Sequence, residues 1–495
     1  MKKAKYIFSS LLLVIAALVC QSCSDDDNDD AQATTLSVSL NGKAIDKLSC
    51  PVGETSTMLS VDADGRWEAS IPDADTAWIS ITPHEAYGWN VKDSTASNAS
   101  SYMKVVVKTN RGAARTSAIT FTAGGLTKTV TVEQLGTSTD PNDPFESAWE
   151  MISHLSYGYN LGNTLESNPS GDWWDQRAPH SVTDWETAWG QPVTTQQIID
   201  DIKSKGINII RVPVTWGPHM DANNQVDEAW MKRVEEVVNY VLKDNNCYCI
   251  INVMHDTGTD GWMHTTEESY AASSAKFKTL WTQIANHFRS YGDHLIFESF
   301  NEILHDDSWA TTPTASDYDI VNRYNQDFVD AVRATGGNNA YRNIAVTTYA
   351  ATCDQPALDG FKVPTDIHDN HIYVSVHNYN PYNFCNDNSG TNADGSTYDY
   401  NIRVFDDDCK AVVDDYMART SARFNQLGVP YLFGEFGAID AKKDMGERVK
   451  YATYVATQMK KYNTTGLWWM GLYDRTTHEW YEEEIVDALK AVLGK

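Results

Sequence analysis

Residues 295–302 read LIFESFNE. The stretch begins as a buried strand, with Leu295, Ile296, Phe297 and Phe300, and then delivers an amide and a carboxylate, Asn301 and Glu302, at its tip. A strand built for a core has a use for such a tip only if the tip opens into a cleft. PYLFGEF, residues 430–436, repeats the arrangement: an apolar run, then Glu435. Six further strand candidates accompany these two: YGYNLGN (157–163), INIIRVPVTW (207–216), CYCIINVMHD (247–256), NIAVTTYA (343–350), IYVSVHNY (372–379) and TGLWWM (465–470). Amphipathic segments lie between them. Over 227–244, Trp230, Val234, Val237, Val238, Val241 and Leu242 recur at helical spacing. Thr194 and Gln197 form a capping box that starts another helix, and Gly206 closes it. Eight strands alternating with helices predict an α/β fold, a (β/α)8 TIM barrel. A doubly wound open sheet is the alternative, but no phosphate-cradling GxGxxG follows the first strand.

In such a barrel chemistry occurs at the C-terminal ends of the strands. Those ends carry Asn163, Arg211, His255, Asn301 with Glu302, His377 with Tyr379, Glu435, and Trp468 with Trp469. Two carboxylates facing one cleft suit glycosidic bond cleavage, in which one protonates the leaving oxygen and the other attacks or activates water. Arg211 can hold a carboxylate ionised. Asn301 can donate to a sugar 2-hydroxyl. His377 and Tyr379 are two apart and share a face; Tyr379 can donate to a nucleophile and His377 can tune an acid. A Trp on the eighth strand can floor the cleaved sugar's site. Each residue alone has a bland reading as a salt-bridge partner or satisfied core group. Their joint occurrence in one layer does not. A metal held by His255, His377 and Glu435 is the competing use of these groups, but it leaves the Asn-Glu pair and the Trp without a role, and no HExxH is present. We therefore expect no metal.

The N-terminal part has a different rhythm. Lys2, Lys3 and Lys5 precede an apolar run, Leu11 to Val19, too short to span a bilayer. The sequence LVCQSCSDDDNDD follows, and the small Ser22 before Cys23 makes Cys23 the better candidate for lipidation. Residues 1–22 are expected as a lipoprotein signal peptide and 23–35 as an acidic linker, with a plain secretory signal before the same linker as the alternative. From 36 to 135, LSVSL, STMLSVDA, MKVVVKTN, SAITFTA and KTVTVEQL alternate apolar and polar residues between turns such as Asp64-Gly65 and Gly124-Gly125. About seven short strands predict a small all-β, immunoglobulin-like sandwich, with Trp67 and Trp78 in its core. GTSTDPNDP, residues 136–144, reads as a linker to a catalytic domain over 145–495.

The 495 residues include 67 acidic and 39 basic side chains, a formal charge of −28, which argues against nucleic acid or an anionic membrane surface as partner. Membrane contact is expected only through the lipid anchor. The 16 Trp and 25 Tyr are an ample supply of flat amphipathic rings for sugar faces. Cys247 and Cys249 share a strand face and cannot readily bridge; a Cys385–Cys409 disulfide is left open.

These residues also carry a resemblance. YGYNLGNTLES, ETAWGQPVTTQQIIDDIKSKGINIIRVPVTW, NVMHDTGTDGW, LIFESFNE, VHNYNPYNF, LFGEFGA and GLWWM occur in order over 145–495. They resemble glycoside hydrolase family 5, subfamily 4, a family of retaining endo-acting barrels without cofactor. The resemblance implies Glu302 as acid/base and Glu435 as nucleophile. It places Arg211, His255, Asn301, His377 and Tyr379 at active-site positions and favours Trp469 over Trp468 as the subsite floor. Asn163 and Trp262 are expected among the substrate contacts. Trp67, Trp78, VKTNRG, Arg115 and the closing VTVEQLG resemble a BACON domain, read here as a spacer rather than a glycan binder. The N-terminus resembles a lipoprotein signal with the acidic surface-export tail of gut bacteria, which implies an outer-membrane, cell-surface location. The whole resembles gut-bacterial endo-xyloglucanases: a β-1,4-glucan substrate, xyloglucan first, mixed-linkage glucan or cellulose second and mannan third, acted on by a monomer. Trp173, Trp174, Trp189, Trp262, Trp309, Tyr382, Phe384 and Trp480 are the available platforms. Two departures stand out. Met254-His255 replaces the His-His of many relatives, and Met470-Gly471 replaces their Asp-Asn. A surface glycan-binding lipoprotein without catalysis is the alternative from a different class.

Overall fold

A computed structural model describes residues 33–50, 54–87, 102–108, 110, 114–136, 143–244, 246–392 and 394–494. The signal peptide, Cys23 and most of both expected linkers lie outside the described residues. Among the described residues no helix is long and apolar enough to cross a membrane.

The N-terminal domain is two five-stranded sheets. One holds Leu36–Leu40, Lys43–Ala44, Thr55–Ala63, Ile79–Thr82 and Tyr102–Val107; the other holds Lys47–Cys50, Arg66–Ser70, Glu85–Tyr87, Arg115–Ala123 and Leu126–Gln134. Ten strands replace the expected seven or so, because Lys43–Ala44, Lys47–Cys50 and Glu85–Tyr87 run only two to four residues, too short for alternation to reveal. The inner faces enclose one core around Trp67, Phe121, Leu59 and Val105. Trp78 is buried too, with the Arg115 guanidinium 4.1 Å above its ring. Gly124 and Gly125, both at positive φ, make the tight turn between the last two long strands.

The second domain is a closed parallel barrel. We number its strands β1 (Gly158–Asn160), β2 (Ile209–Val212), β3 (Tyr248–Ile251), β4 (Leu295–Glu298), β5 (Ile344–Thr352), β6 (Ile372–Asn378), β7 (Tyr431–Phe436) and β8 (Gly466–Trp469). All eight arise from the predicted stretches. Alternation sorts their side chains. Ile209, Ile250, Ile296, Tyr373, Leu432 and Leu467 point inward and pack on Met151 and Ile152 of the helix Ala148–His154, which stoppers the barrel's lower end. Ile210, Val212, Cys247, Cys249, Leu295 and Phe297 point outward to the surrounding helices. One step above the inward apolar layer, the same alternation delivers Arg211, Glu298, Ser375 and Trp469, and a second step along β6 delivers His377.

Two sequence expectations shift. The helix Gln196–Ser204 is capped by Thr195, whose hydroxyl accepts from the Ile198 amide at 3.3 Å; Thr194 is one residue too early, and Gln197 donates to Asp201 instead. Gly206, at φ +90°, does close that helix, its amide bonded to the Lys203 carbonyl. Cys385 and Cys409 are free and buried; the Cys409 thiol turns to the Val404 carbonyl at 3.8 Å.

Candidate active site

Arg211 is the hub. It is fully buried, and all five guanidinium N–H groups have an oxygen acceptor. Nε and Nη2 donate to Oε1 of Glu298 at 2.9 and 2.7 Å. Nη2 also donates to Oδ1 of Asn301 at 2.8 Å, and Nη1 to Oδ1 of Asn160 at 3.0 Å and Oε1 of Glu435 at 2.7 Å. Burial works against its charge, but Glu298 and Glu435 outweigh that and hold the guanidinium firmly protonated. Because Asn301 accepts through its oxygen, its amide nitrogen is oriented as a donor, and no acceptor among the described residues engages it.

Glu435 reaches the cleft through an irregularity. Phe433 and Phe436 both pack outward, so Gly434 and Glu435 occupy the space of one inward residue. The register shifts here against both neighbouring strands, as bulges beside active sites do. Gly434 is required: a Cβ there would lie 2.3 Å from Oγ of Ser375 and 3.2 Å from Nε2 of His377. Glu435 then accepts from Arg211 on one oxygen and from the Tyr379 hydroxyl, at 2.8 Å, on the other. His377 Nδ1 stands 2.8 Å from Oε1 of Glu302 and 3.7 Å from Oε2 of Glu435. One oxygen of each glutamate and a ring nitrogen of His377 all lie within 4.8 Å of one another.

The environments push the two carboxyls apart. Burial, helped by the charge of Glu435, holds Glu302 above the ordinary glutamate range against the pull of His377. Burial also penalises Glu435, but the charges of His377 and Arg211, with the hydrogen bonds from Tyr379 and Arg211, hold it below that range. His377 is raised: burial opposes its charge and the two carboxylates outweigh burial. Burial lowers His255 to about 4, so it is neutral. One carboxyl kept protonated beside one kept ionised is the pairing an acid and a nucleophile need. The three donor atoms are close enough to share a cation, yet both oxygens of Glu435 are already engaged and the guanidinium repels a second positive charge.

Of the remaining expected residues, His255 lies close enough to feel the charges of Glu435 and Arg211. Trp469 is half-buried at the mouth. Its ring lies over Gly162, where a Cβ would be 3.0 Å from Cζ2, and Trp469 pairs in register with Asn160. Trp468 points the other way, edge-on to Phe436 at 5.3 Å and toward Tyr451 at 6.4 Å. The eighth strand thus offers Trp469 to the cleft and Trp468 to the helices. Asn163 sits in a left-handed turn at φ 59°, its amide bonded to the buried Glu166. His255 meets the edge of Trp189 at 5.3 Å. Trp262 donates its indole N–H to Asp256 at 2.6 Å, with Lys276 Nζ 4.1 Å over the ring. Of the other platform candidates, Trp174 stacks on His180 and Phe384 is fully buried against Phe405 and Tyr451, so both are core residues; Trp173, Trp309 and Tyr382 are exposed. Met254 replaces an imidazole with a thioether 3.9 Å from Nη2 of Arg211. Sequence reading missed Asn160 and Glu298, which align Arg211 from inside the barrel.

The model of the family Cellulase (glycosyl hydrolase family 5) matches residues 173–473, and the BACON model matches 66–135. The chain belongs to glycosyl hydrolase family 5. Endoglucanase A of Clostridium longisporum is 38% identical over 361 residues, covering 69% of this chain and 65% of that protein. Cellulase/esterase CelE of Acetivibrio thermocellus is 38% identical over 365 residues, 70% of this chain and 41% of that protein. The chain therefore spans less than two thirds of the length of these two relatives. Among solved structures, a variant of the family 5 enzyme PbGH5A of Prevotella bryantii B14, in complex with a xyloglucan tetradecasaccharide, aligns with TM-score 0.63 at 37% identity, over 70% of this chain and 99% of that one. A GH5-4 broad-specificity endoglucanase from C. longisporum aligns with TM-score 0.62 at 34% identity, over 70% and 99%.

Proposed function

We propose that the protein is a retaining endo-β-1,4-glucanase with xyloglucan as its preferred substrate. The observation that carries the reading is the Glu302–Glu435 pair, with oxygens within 4.8 Å. Retaining enzymes hold their carboxyl groups roughly 5–5.5 Å apart, inverting ones roughly 6.5–9.5 Å. Glu435, ionised, attacks the anomeric carbon while Glu302 gives its proton to the departing glycosidic oxygen. A covalent glycosyl-enzyme results. That bond removes the charge of Glu435, so Glu302, now a carboxylate, takes a proton from water, and the hydroxide displaces Glu435 with net retention. The Asn301 amide is the donor for the 2-hydroxyl, and Trp469 floors the site. The xyloglucan complex of the Prevotella bryantii relative supports a cleft that admits branches. A lichenase of Caldicellulosiruptor sp. F32, solved with cellotetraose at 32% identity and TM-score 0.64, favours unbranched glucan as the second reading. Lipidation at Cys23 would place the enzyme on the outer-membrane surface, with the BACON domain as spacer.

The test is reducing-end release from xyloglucan, mixed-linkage glucan, carboxymethylcellulose and glucomannan, with Glu302→Gln and Glu435→Ala as controls and the first-formed anomer read by NMR. We expect the highest rate on xyloglucan, a β-anomer first, and loss of nearly all turnover in both variants. Rates confined to unbranched polymers would replace the substrate and keep the mechanism. An α-anomer would overturn retention. Binding without cleavage in the wild type would make the protein a surface glycan binder.

A further inference from the structure

Arg211 is one buried cation between two carboxylates, and the chemistry above uses only Glu435. Glu298, the last residue of β4, is 1% exposed and takes the other side of the guanidinium. Its contacts are lopsided. Nε and Nη2 of Arg211 and Nδ2 of Asn252, at 3.1 Å, all converge on Oε1. Oε2 is buried with no hydrogen-bond partner among the described residues. A carboxylate serving only to neutralise Arg211 would duplicate Glu435 and leave a costly unsatisfied oxygen in the barrel. The arrangement does something else: it captures two of the three guanidinium nitrogens. Free of Glu298, the guanidinium could turn its planar fork onto both oxygens of Glu435, leaving neither available to attack.

We propose that Glu298 is a positioning residue for the nucleophile: by holding Nε and Nη2 of Arg211 from inside the barrel, it lets a single N–H reach Glu435 and draws part of the guanidinium's charge away from it. The inference rests on the double-displacement reading. The other groups facing this pair are Glu302 from the loop after β4, Tyr373, His377 and Tyr379 from β6 and its end, and His255 from the end of β3. Replacing Glu298 leaves all of them in place.

The experiment compares Glu298→Gln and Glu298→Asp with the wild-type chain, measuring the pH profile of kcat/KM, kcat at the plateau and Tm. In Glu298→Gln the charge of Arg211 falls on Glu435 alone, which keeps Glu435 ionised to lower pH. The acidic limb should move down by roughly one pH unit, and kcat should fall about tenfold or more as the fork closes on the nucleophile. Glu298→Asp keeps the charge with a shorter reach; its acidic limb should stay within a few tenths of wild type. A loss of kcat or Tm in Glu298→Gln with both limbs unmoved would reduce Glu298 to a structural counter-ion and overturn the inference, as would an upward shift. Should the Gln variant not fold, Glu298→Asp still decides, since an acidic limb displaced as far as a whole charge would displace it contradicts the charge-sharing account. Failure of the double-displacement reading is seen separately, as an inverted first product from the wild type.

Discussion

Tyr379→Phe removes one hydroxyl and leaves the ring. That hydroxyl donates to Oε2 of Glu435 at 2.8 Å. A hydrogen bond to a charged acceptor contributes roughly 1.5–3 kcal/mol, and about 1.36 kcal/mol corresponds to one pKa unit. Glu435 keeps Arg211 at 2.7 Å and His377 at 3.7 Å, so the low end of that range applies, a rise of about one unit. In the proposed mechanism Glu435 is the nucleophile and must be ionised to attack. Raising its pKa therefore moves the acidic limb of kcat/KM upward by about one pH unit, opposite in sign to Glu298→Gln. The proposed mechanism assigns the alkaline limb to Glu302, whose partner is His377 at 2.8 Å, and that limb should stay. The assay is initial rates on a soluble β-glucan across the acid and neutral range, wild type and variant side by side, with Tm confirming the fold. A variant with lowered kcat/KM but an unmoved acidic limb would refute the claim that Tyr379 stabilises the Glu435 carboxylate.

Two further outcomes are expected. Gly162→Ala puts a methyl 3.0 Å from Cζ2 of Trp469 and 3.1 Å from Sδ of Met470. The indole must shift by several tenths of an ångström, and kcat/KM should fall about tenfold while circular dichroism stays native. Trp468→Ala and Trp469→Ala should separate cleanly. The first, 2% exposed, should cost about 3–5 kcal/mol of stability with KM largely kept; the second should raise KM severalfold and leave the Tm close to wild type.

The barrel was legible because each strand is an apolar run ending in a polar group, and a polar tip on a buried run is tolerable only where the run meets a cleft. The catalytic layer was legible for the same reason. Glu298 and Asn160 were not: each ends its observed strand, but the sequence stretch read as that strand runs on past it, so neither stood out as a tip. A signal for Glu298 existed: a buried Arg211 needs counter-charge, and Glu298 is the carboxylate that alternation turns inward next to it. Glu435 was legible from its place at the end of an apolar run, although strict alternation would have turned it outward; the bulge that rescues it has no sequence mark beyond Gly434. The resemblance favoured Trp469 over Trp468, but the physical reason, the register of β8 on β1, is visible only in the structure. Thr194 and Thr195 are chemically equivalent caps, and the Gln three residues on pointed to the wrong one.

The side chain of Asn160, on β1, donates to the Gly434 carbonyl of β7 at 2.9 Å and to the Leu467 carbonyl of β8 at 3.2 Å, while its oxygen holds Arg211. The first strand of the barrel thus waits for the last two before it can orient the hub, and Trp469 arrives on the final strand. A chain emerging from its N-terminus can own both Arg211 and Glu302 long before it owns a working site. On the proposed mechanism activity is therefore a seal on completion: a product truncated before β8, or one whose barrel has not closed, carries Glu302 but neither the seated guanidinium nor Trp469.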